Sequence, residues 1–284
     1  MDKIAIVTDS IACFTREMVE RYGIRIVPSN IHFDGRLYKE YLDISPTEAY
    51  QLLERDPNHF STSAPSPADY LEAYRELSTR AQSIICITLS AKLSTLHDTA
   101  RLAKEQAKQE IPRTAIEILD SRTCAAAEGF IVLATARAIE EGKEMTEAIK
   151  AAENVRDKVN LLALMETIRH AYRSGRIPKV AARIGSALSI KPIISISDGA
   201  VDFVGLARTK ERDVKRIIRI MREKVGESPV HVAVVHADAL EEAQRLKEQV
   251  ASEFDCYDLW ISEFSPIMGY TTGRGLIGLA FYVD

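Results

Sequence analysis

The sequence predicts an α/β protein: an N-terminal parallel-sheet α/β domain over residues 1–155, followed by a smaller α+β domain over residues 156–284. Three observations predict it. Short, continuously apolar runs alternate with helical stretches through the first half, and strands covered on both faces of a parallel sheet read this way. The pattern changes character around Val155. Beyond that point a hairpin signal, Ser197-Asp198-Gly199 between two apolar runs, is followed by helix-separated strands, which suits an α+β unit with its helices on one face.

Taken in order, residues 4–7 form an apolar strand ending at Thr8-Asp9-Ser10. A helix over 15–22 and a strand over 24–28 follow, then a helix over 67–77 that opens on Pro67. Residues 84–89 and 116–119 are two further apolar strands, separated by a helix over 95–110. The alanine-rich stretch 125–141 reads as a helix stopped by Gly142. Helical pattern continues over 156–172 until Ser174-Gly175-Arg176 breaks it. Strands are expected over 190–196, 201–207, 231–235, 259–263 and 276–283, with a basic helix over 210–224 and another helix over 240–254. No internal repeat or low-complexity segment is evident.

A chain of 284 residues with 46% hydrophobic and 27% charged residues is an ordinary soluble globular composition, long enough for two modest domains. The net charge of −4 gives no electrostatic case for nucleic acid. The basic run from Lys210 to Lys224 reads as the solvated face of an amphipathic helix, and its sharper reading is a docking surface for an acidic regulatory partner. No apolar run approaches the ~20 residues that span a bilayer. The first residues enter a strand without the features of a secretory signal, so a cytoplasmic protein is expected. Cys13, Cys86, Cys124 and Cys256 lie far apart with no Cys-x-x-Cys, and read as thiols.

Ligands of parallel sheets bind beyond the carboxyl ends of the strands. Thr8-Asp9-Ser10, Ser90 to Ser94 and Asp120-Ser121 each follow a strand directly, so they are expected to converge, with the ligand site between the two domains. Ser61 to Ser66 and Ser90 to Thr95 cluster small hydroxyls in expected loops. Neutral donors of this kind suit an oxyanion or carboxylate whose remainder is apolar. Some of the same hydroxyls suit helix N-caps, although Thr62 stands several residues early for that role. Asp9 and Asp120 are candidates for a general base or a hard-cation site, yet Asp-Ser is also a common turn pair, and structural roles are favoured. With Ser10, Ser121 and Cys124 they carry the alternative reading, a small-molecule transferase or hydrolase. No metal ligand set stands out: His231 and His236 fall on opposite faces of a strand. The segment from Gly269 to Gly275 lacks the lysine of a phosphate loop and leads into a strand. Arg176 is a lone candidate cation for the site.

Seven motifs in order then carry a resemblance: Thr8-Asp9-Ser10, Thr62 to Ser66, Leu93-Ser94, Asp120-Ser121, Gly175-Arg176-Ile177, Ile190-Lys191-Pro192 and Thr272-Gly273-Arg274-Gly275. Together the chain resembles the DegV family of bacterial fatty-acid-binding proteins over about residues 3–283. The resemblance implies an N-terminal lipid-binding domain and a long-chain fatty acid, such as palmitate, in an apolar tunnel there. It implies that Thr62 and Ser94 hold the carboxylate near the domain junction, with Arg176, Thr271 and Thr272 as further candidates. It implies no catalytic residue, no metal and no cofactor besides the bound fatty acid. It also implies a carrier that presents its ligand to a fatty acid kinase, with transient membrane-surface contact for lipid exchange. Three departures stand out. Thr271 replaces the family's His and Arg274 its Pro in the C-terminal motif, Thr95 replaces a Gly after Ser94, and Ala64 stands where Gln is common.

Overall fold

The computed structural model describes residues 3–168, 170, 174–175, 191–206 and 210–284. Four parallel strands, β1 (Ile4–Asp9), β2 (Arg25–Val27), β6 (Ser83–Thr88) and β7 (Ala115–Asp120), form one sheet in the order β2-β1-β6-β7. β6 lies between β1 and β7 and is buried at every position. A strand covered on both faces has no polar side, which is why it reads as an unbroken apolar run. Helix α1 (Arg16–Tyr22) starts at Thr15, whose hydroxyl accepts the Met18 N–H at 3.3 Å, and stops at Gly23 in the left-handed region. Helices α3 (Pro67–Ser78) and α4 (Leu96–Glu110) pack together against the sheet, as do α5 (Ala125–Glu140) and α6 (Met145–Lys158). Ser66 caps α3 in a reciprocal box with Asp69, so the capping role falls to Ser66 and leaves Thr62 free of it.

Between β2 and α3 the chain adds elements that the periodicity does not reveal. β3 (Asn30–Phe33), β4 (Arg36–Lys39) and β5 (Phe60–Ser63) make an antiparallel sheet in the order β4-β3-β5, with α2 (Pro46–Arg55) inserted before β5. Thr62 therefore lies in an edge strand rather than a loop, on the same side as the buried Phe60.

The second half builds a six-stranded mixed sheet in the order β10-β9-β8-β13-β11-β12. Its strands are β8 (Asn160–Leu164), β9 (Pro192–Ser197), β10 (Ala200–Leu206), β11 (Val230–His236), β12 (Cys256–Glu263) and β13 (Ile277–Tyr282). Alternation along these strands sorts the core. Leu162, Val232, Leu279 and Phe281 face α7 (Lys210–Val225) and α8 (Leu240–Glu253), while Leu161, Ala163, Val235 and Ala280 join the larger core shared with the first half. Helix α5 closes that larger core: Phe130 meets Trp260 and Tyr282 edge-on, with ring centroids 4.6 and 5.1 Å apart.

The expected helix over 156–172 is corrected. Helix α6 ends at Lys158, and Asn160–Leu164 is strand β8, paired antiparallel with β13 and with β9. Leu161 to Leu164 is a short apolar run buried on both faces, and periodicity cannot separate such a strand from a buried helix segment. A short helix, α9 (Pro266–Thr272), lies between β12 and β13. No helix among the described residues is long and apolar enough to cross a membrane.

Candidate functional site

The carboxyl ends of the parallel strands are laced together by their own polar groups. Asp9 is fully buried and accepts the backbone N–H of Leu89 at 2.8 Å and of Ile11 at 3.0 Å. Asp120 accepts the N–H of Arg122 at 2.9 Å and of Ala91 at 3.3 Å. The Ser121 hydroxyl donates to the Thr123 carbonyl, and the Ser10 hydroxyl accepts the Ser29 N–H. The three strand ends thus converge as expected, and the Asp and Ser side chains there are engaged in holding the loops. Burial pushes the Cys124 thiol well up, which suppresses the thiolate that a nucleophile needs.

These ties fix the loop that carries Ser94. The Ser90 carbonyl accepts the N–H groups of Leu93 at 3.0 Å and Ser94 at 3.3 Å, closing a tight turn. The Ser94 oxygen accepts the Leu96 N–H at 3.4 Å, which leaves its own hydrogen free to donate. Thr95 has a φ of −84°, so threonine meets no strain at this position. The far side of the same loop reaches the β9–β10 turn. The Ser90 hydroxyl donates to the Gly199 carbonyl at 2.7 Å, and Lys92 Nζ donates to the carbonyl and carboxylate of Asp198 at 2.6 and 2.7 Å.

A cleft enclosing about 940 Å³, part of it open to solvent, lies beneath these loops. Thr62, Ser94, Thr271 and Thr272 all line it, so four of the five expected head-group residues meet at one space; Arg176 lies outside the described residues. The first half contributes Ile11, Leu89, Leu93 and Leu96, the six-stranded sheet Leu161, Ala163, Ile194 and Ile196, and α9 Ile267 and Met268. The walls therefore come from both halves of the chain. Apolar side chains dominate, with hydroxyls as the principal polar groups. Sequence reasoning missed Ser29 and Ser195 in this lining, and no motif marks either of them.

Helix α9 owes its place to the inserted elements. Ser265 caps it, accepting the Ile267 N–H at 3.2 Å and donating to the buried Glu40 carboxyl. Tyr50 of α2 donates to the Phe264 carbonyl at 2.9 Å, and its ring sits where a side chain on Gly269 would be, 2.4 Å from that Cβ position. Thr272 donates back to the Met268 carbonyl at 3.1 Å, whereas the half-buried Thr271 faces the cleft. Arg274 does not line the cleft; it pairs with Glu54 of α2 and with Asp238.

Three acids are buried near the cleft. Burial pushes Asp9 up to about 6 despite its two backbone donors, and Glu40 up to about 7 against the hydroxyls of Ser10 and Ser265. Burial, then the neighbouring charge of Asp9, holds Glu128 well above the usual carboxylate range, opposed by a 3.3 Å bond from the Thr8 hydroxyl. None of the three lines the cleft. On helix α7, Arg222 pairs with Glu253 and Arg216 donates to the carbonyls of Val204 and Leu206. These two members of the basic run thus serve the fold, leaving Lys215, Arg219 and Lys224 as an exposed face.

Comparison with known proteins gives a consistent picture. A family model described as "Uncharacterised protein, DegV family" matches residues 3–284. A DegV domain-containing protein of Streptomyces coelicolor is 32% identical over 278 residues, 97% of either chain. A fatty-acid-binding DegV family protein from Thermus thermophilus superposes with a TM-score of 0.91 at 26% identity, covering 99% of this chain and 100% of its own. DegV from Bacillus subtilis, described as a fatty acid binding protein, superposes with a TM-score of 0.91 at 26% identity over 100% of both chains.

Proposed function

Because the chain belongs to the DegV family, we propose that it binds one long-chain fatty acid, such as palmitate, in the cleft between residues 1–155 and residues 156–284. The carboxylate sits at Thr62 and Ser94, with Thr271 as a further neutral donor. The observation that carries this reading is the lining itself: hydroxyls from β5, the Ser90–Ser94 loop and α9 face one predominantly apolar space.

The energetics divide the labour between tail and head. Burying ~15 methylenes at ~0.8 kcal/mol each is worth about 12 kcal/mol gross. Lost motion and desolvation offset several of these. Each head-group hydroxyl adds about 1 kcal/mol and chiefly sets orientation. Native mass spectrometry of the delipidated protein with added palmitate tests the reading. One palmitate should add to the folded protein, and no mass gain would overturn it. Thr62→Ala and Ser94→Ala should each weaken binding by about 1–2 kcal/mol. The double variant should show coupling, because the two hydroxyls share one carboxylate.

The same reading makes the protein a non-catalytic cytoplasmic carrier. It touches membranes transiently to exchange lipid and presents the carboxyl group to a fatty acid kinase. The family resemblance supports this step. Formation of acyl phosphate from the loaded protein with an added kinase tests it, and a complete lack of product would remove the kinase from the reading.

A further inference from the structure

Ser29 stands in the cleft wall just ahead of β3, where no motif drew attention to it. It is 1% exposed, it lines the cleft, and its Oγ has no hydrogen-bond partner among the described residues. Its backbone is satisfied on both sides: the N–H donates to Ser10 Oγ at 3.1 Å, and the carbonyl accepts the Glu40 N–H at 3.0 Å. A buried hydroxyl left without a partner is costly, and a fold that keeps one at a cavity surface leaves a donor for what enters the cavity.

The strand register says where that donor lies. β3 pairs antiparallel with β5, Asn30 opposite Ser63 and Ile31 opposite Thr62. Continuing by one residue sets Ser29 opposite Ala64, and the Asn30 side-chain amide donating to the Ala64 carbonyl at 3.1 Å holds this end of the pairing together. Opposed residues in such a pair share a face, so Ser29 and Ala64 lie on the face of Thr62, and all three line the cleft. Ser29 is then diagonal to Thr62. Diagonal neighbours lie about 7–8 Å apart. One carboxylate, with its two oxygens and a hydrogen bond on each side, spans such a gap.

We propose that Ser29 is a third hydroxyl donor to the ligand's carboxylate, and that it makes the cleft selective for acids over neutral lipids of the same length. This rests on the fatty-acid reading above. A carboxylate offers about four acceptor positions and can take donors from Thr62, Ser94 and Ser29 together. A primary alcohol has two lone pairs and a hydrogen of its own to place, so it leaves at least one of the three unmatched.

The test titrates delipidated protein with palmitate and with hexadecan-1-ol, for the wild type, Ser29→Ala and Ser29→Thr, and records thermal unfolding of each. Ser29→Ala should weaken palmitate about tenfold and change hexadecan-1-ol less than about twofold. Ser29→Thr, which keeps the hydroxyl, should hold palmitate within about threefold of the wild type. Equal losses for both ligands would reduce Ser29 to packing and overturn the proposal. Unchanged palmitate affinity in Ser29→Ala would overturn it as well, while leaving the fatty-acid reading intact. A wild type that binds neither ligand would remove that reading and this proposal with it.

Discussion

Between pH 5 and pH 8 the unfolding free energy should fall, with Asp9 contributing a loss of about 1 kcal/mol and Glu40 about 3 kcal/mol. Both acids are held above their ordinary values on folding, to about 6 and about 7, because burial penalises the carboxylate. Over the interval between the unfolded and folded values the folded protein binds more protons than the unfolded chain. The advantage is therefore fully present below the unfolded values and is lost as pH rises through the folded ones. Glu128 acts in the same direction. His236, lowered by burial, acts the other way on the acid side of its ordinary value. Urea unfolding of the wild type and of Glu40→Gln across this range checks the result. Glu40→Gln should flatten the slope, since an amide oxygen still accepts from Ser265 but nothing there ionises. An undiminished slope in the variant would assign the effect to other groups.

Gly278→Ala should cost about 3 kcal/mol or more. Gly278 lies in β13, between β8 and β11, and a methyl group there would stand 2.2 Å from the Leu162 carbonyl oxygen and 2.8 Å from the Ala163 Cα. Both obstacles are backbone of a paired strand, so relief requires prying β13 from β8. Ala163 also lines the cleft, so ligand capacity should fall along with stability. Gly226→Ala is the control: its φ is +60°, but no atom lies within 4 Å of the added carbon. It should cost only about 1 kcal/mol, the penalty of the backbone conformation alone. Equal urea midpoints for the two variants would contradict the close approach at Gly278.

The parallel sheet was legible because its strands are simple. β1, β6 and β7 end in polar turns, and the strand-end rule predicts that Thr8-Asp9-Ser10, Ser90 to Ser94 and Asp120-Ser121 share one edge. Strand β8 was hidden because Leu161 to Leu164 is apolar at every position and follows a true helix without a glycine or proline between them. The β3–β4 hairpin carries a signal in its turn. Asp34 and Gly35 adopt φ values of 50° and 76°, the left-handed pair that an Asp-Gly hairpin turn requires. Thr62 and Ser94 were found through motifs. The apolar lining from β8, β9 and α9 carries no such signal, since Leu161, Ile194, Ile267 and Met268 are ordinary core types whose convergence depends on how the second sheet meets the first. Ser29 gave no signal because a single serine after a proline is unremarkable until its burial is known.

The turn that presents Ser94 also has a grip on the opposite wall. Ser90 and Lys92 hold the β9–β10 turn, and Ser195, Ile196 and Val201 of that hairpin line the cleft. A molecule in the cleft is thus bounded by two jaws stapled at their tips. The contacts at those tips are Ser90 to the Gly199 carbonyl and Lys92 to the carbonyl and carboxylate of Asp198. The ion pair among them joins a lysine and an aspartate that are largely in water, with side chains 55% and 76% exposed, so its share of the grip weakens with ionic strength, whereas the buried Ser90–Gly199 bond does not. The apolar walls of the cleft, by contrast, carry no charge for salt to screen.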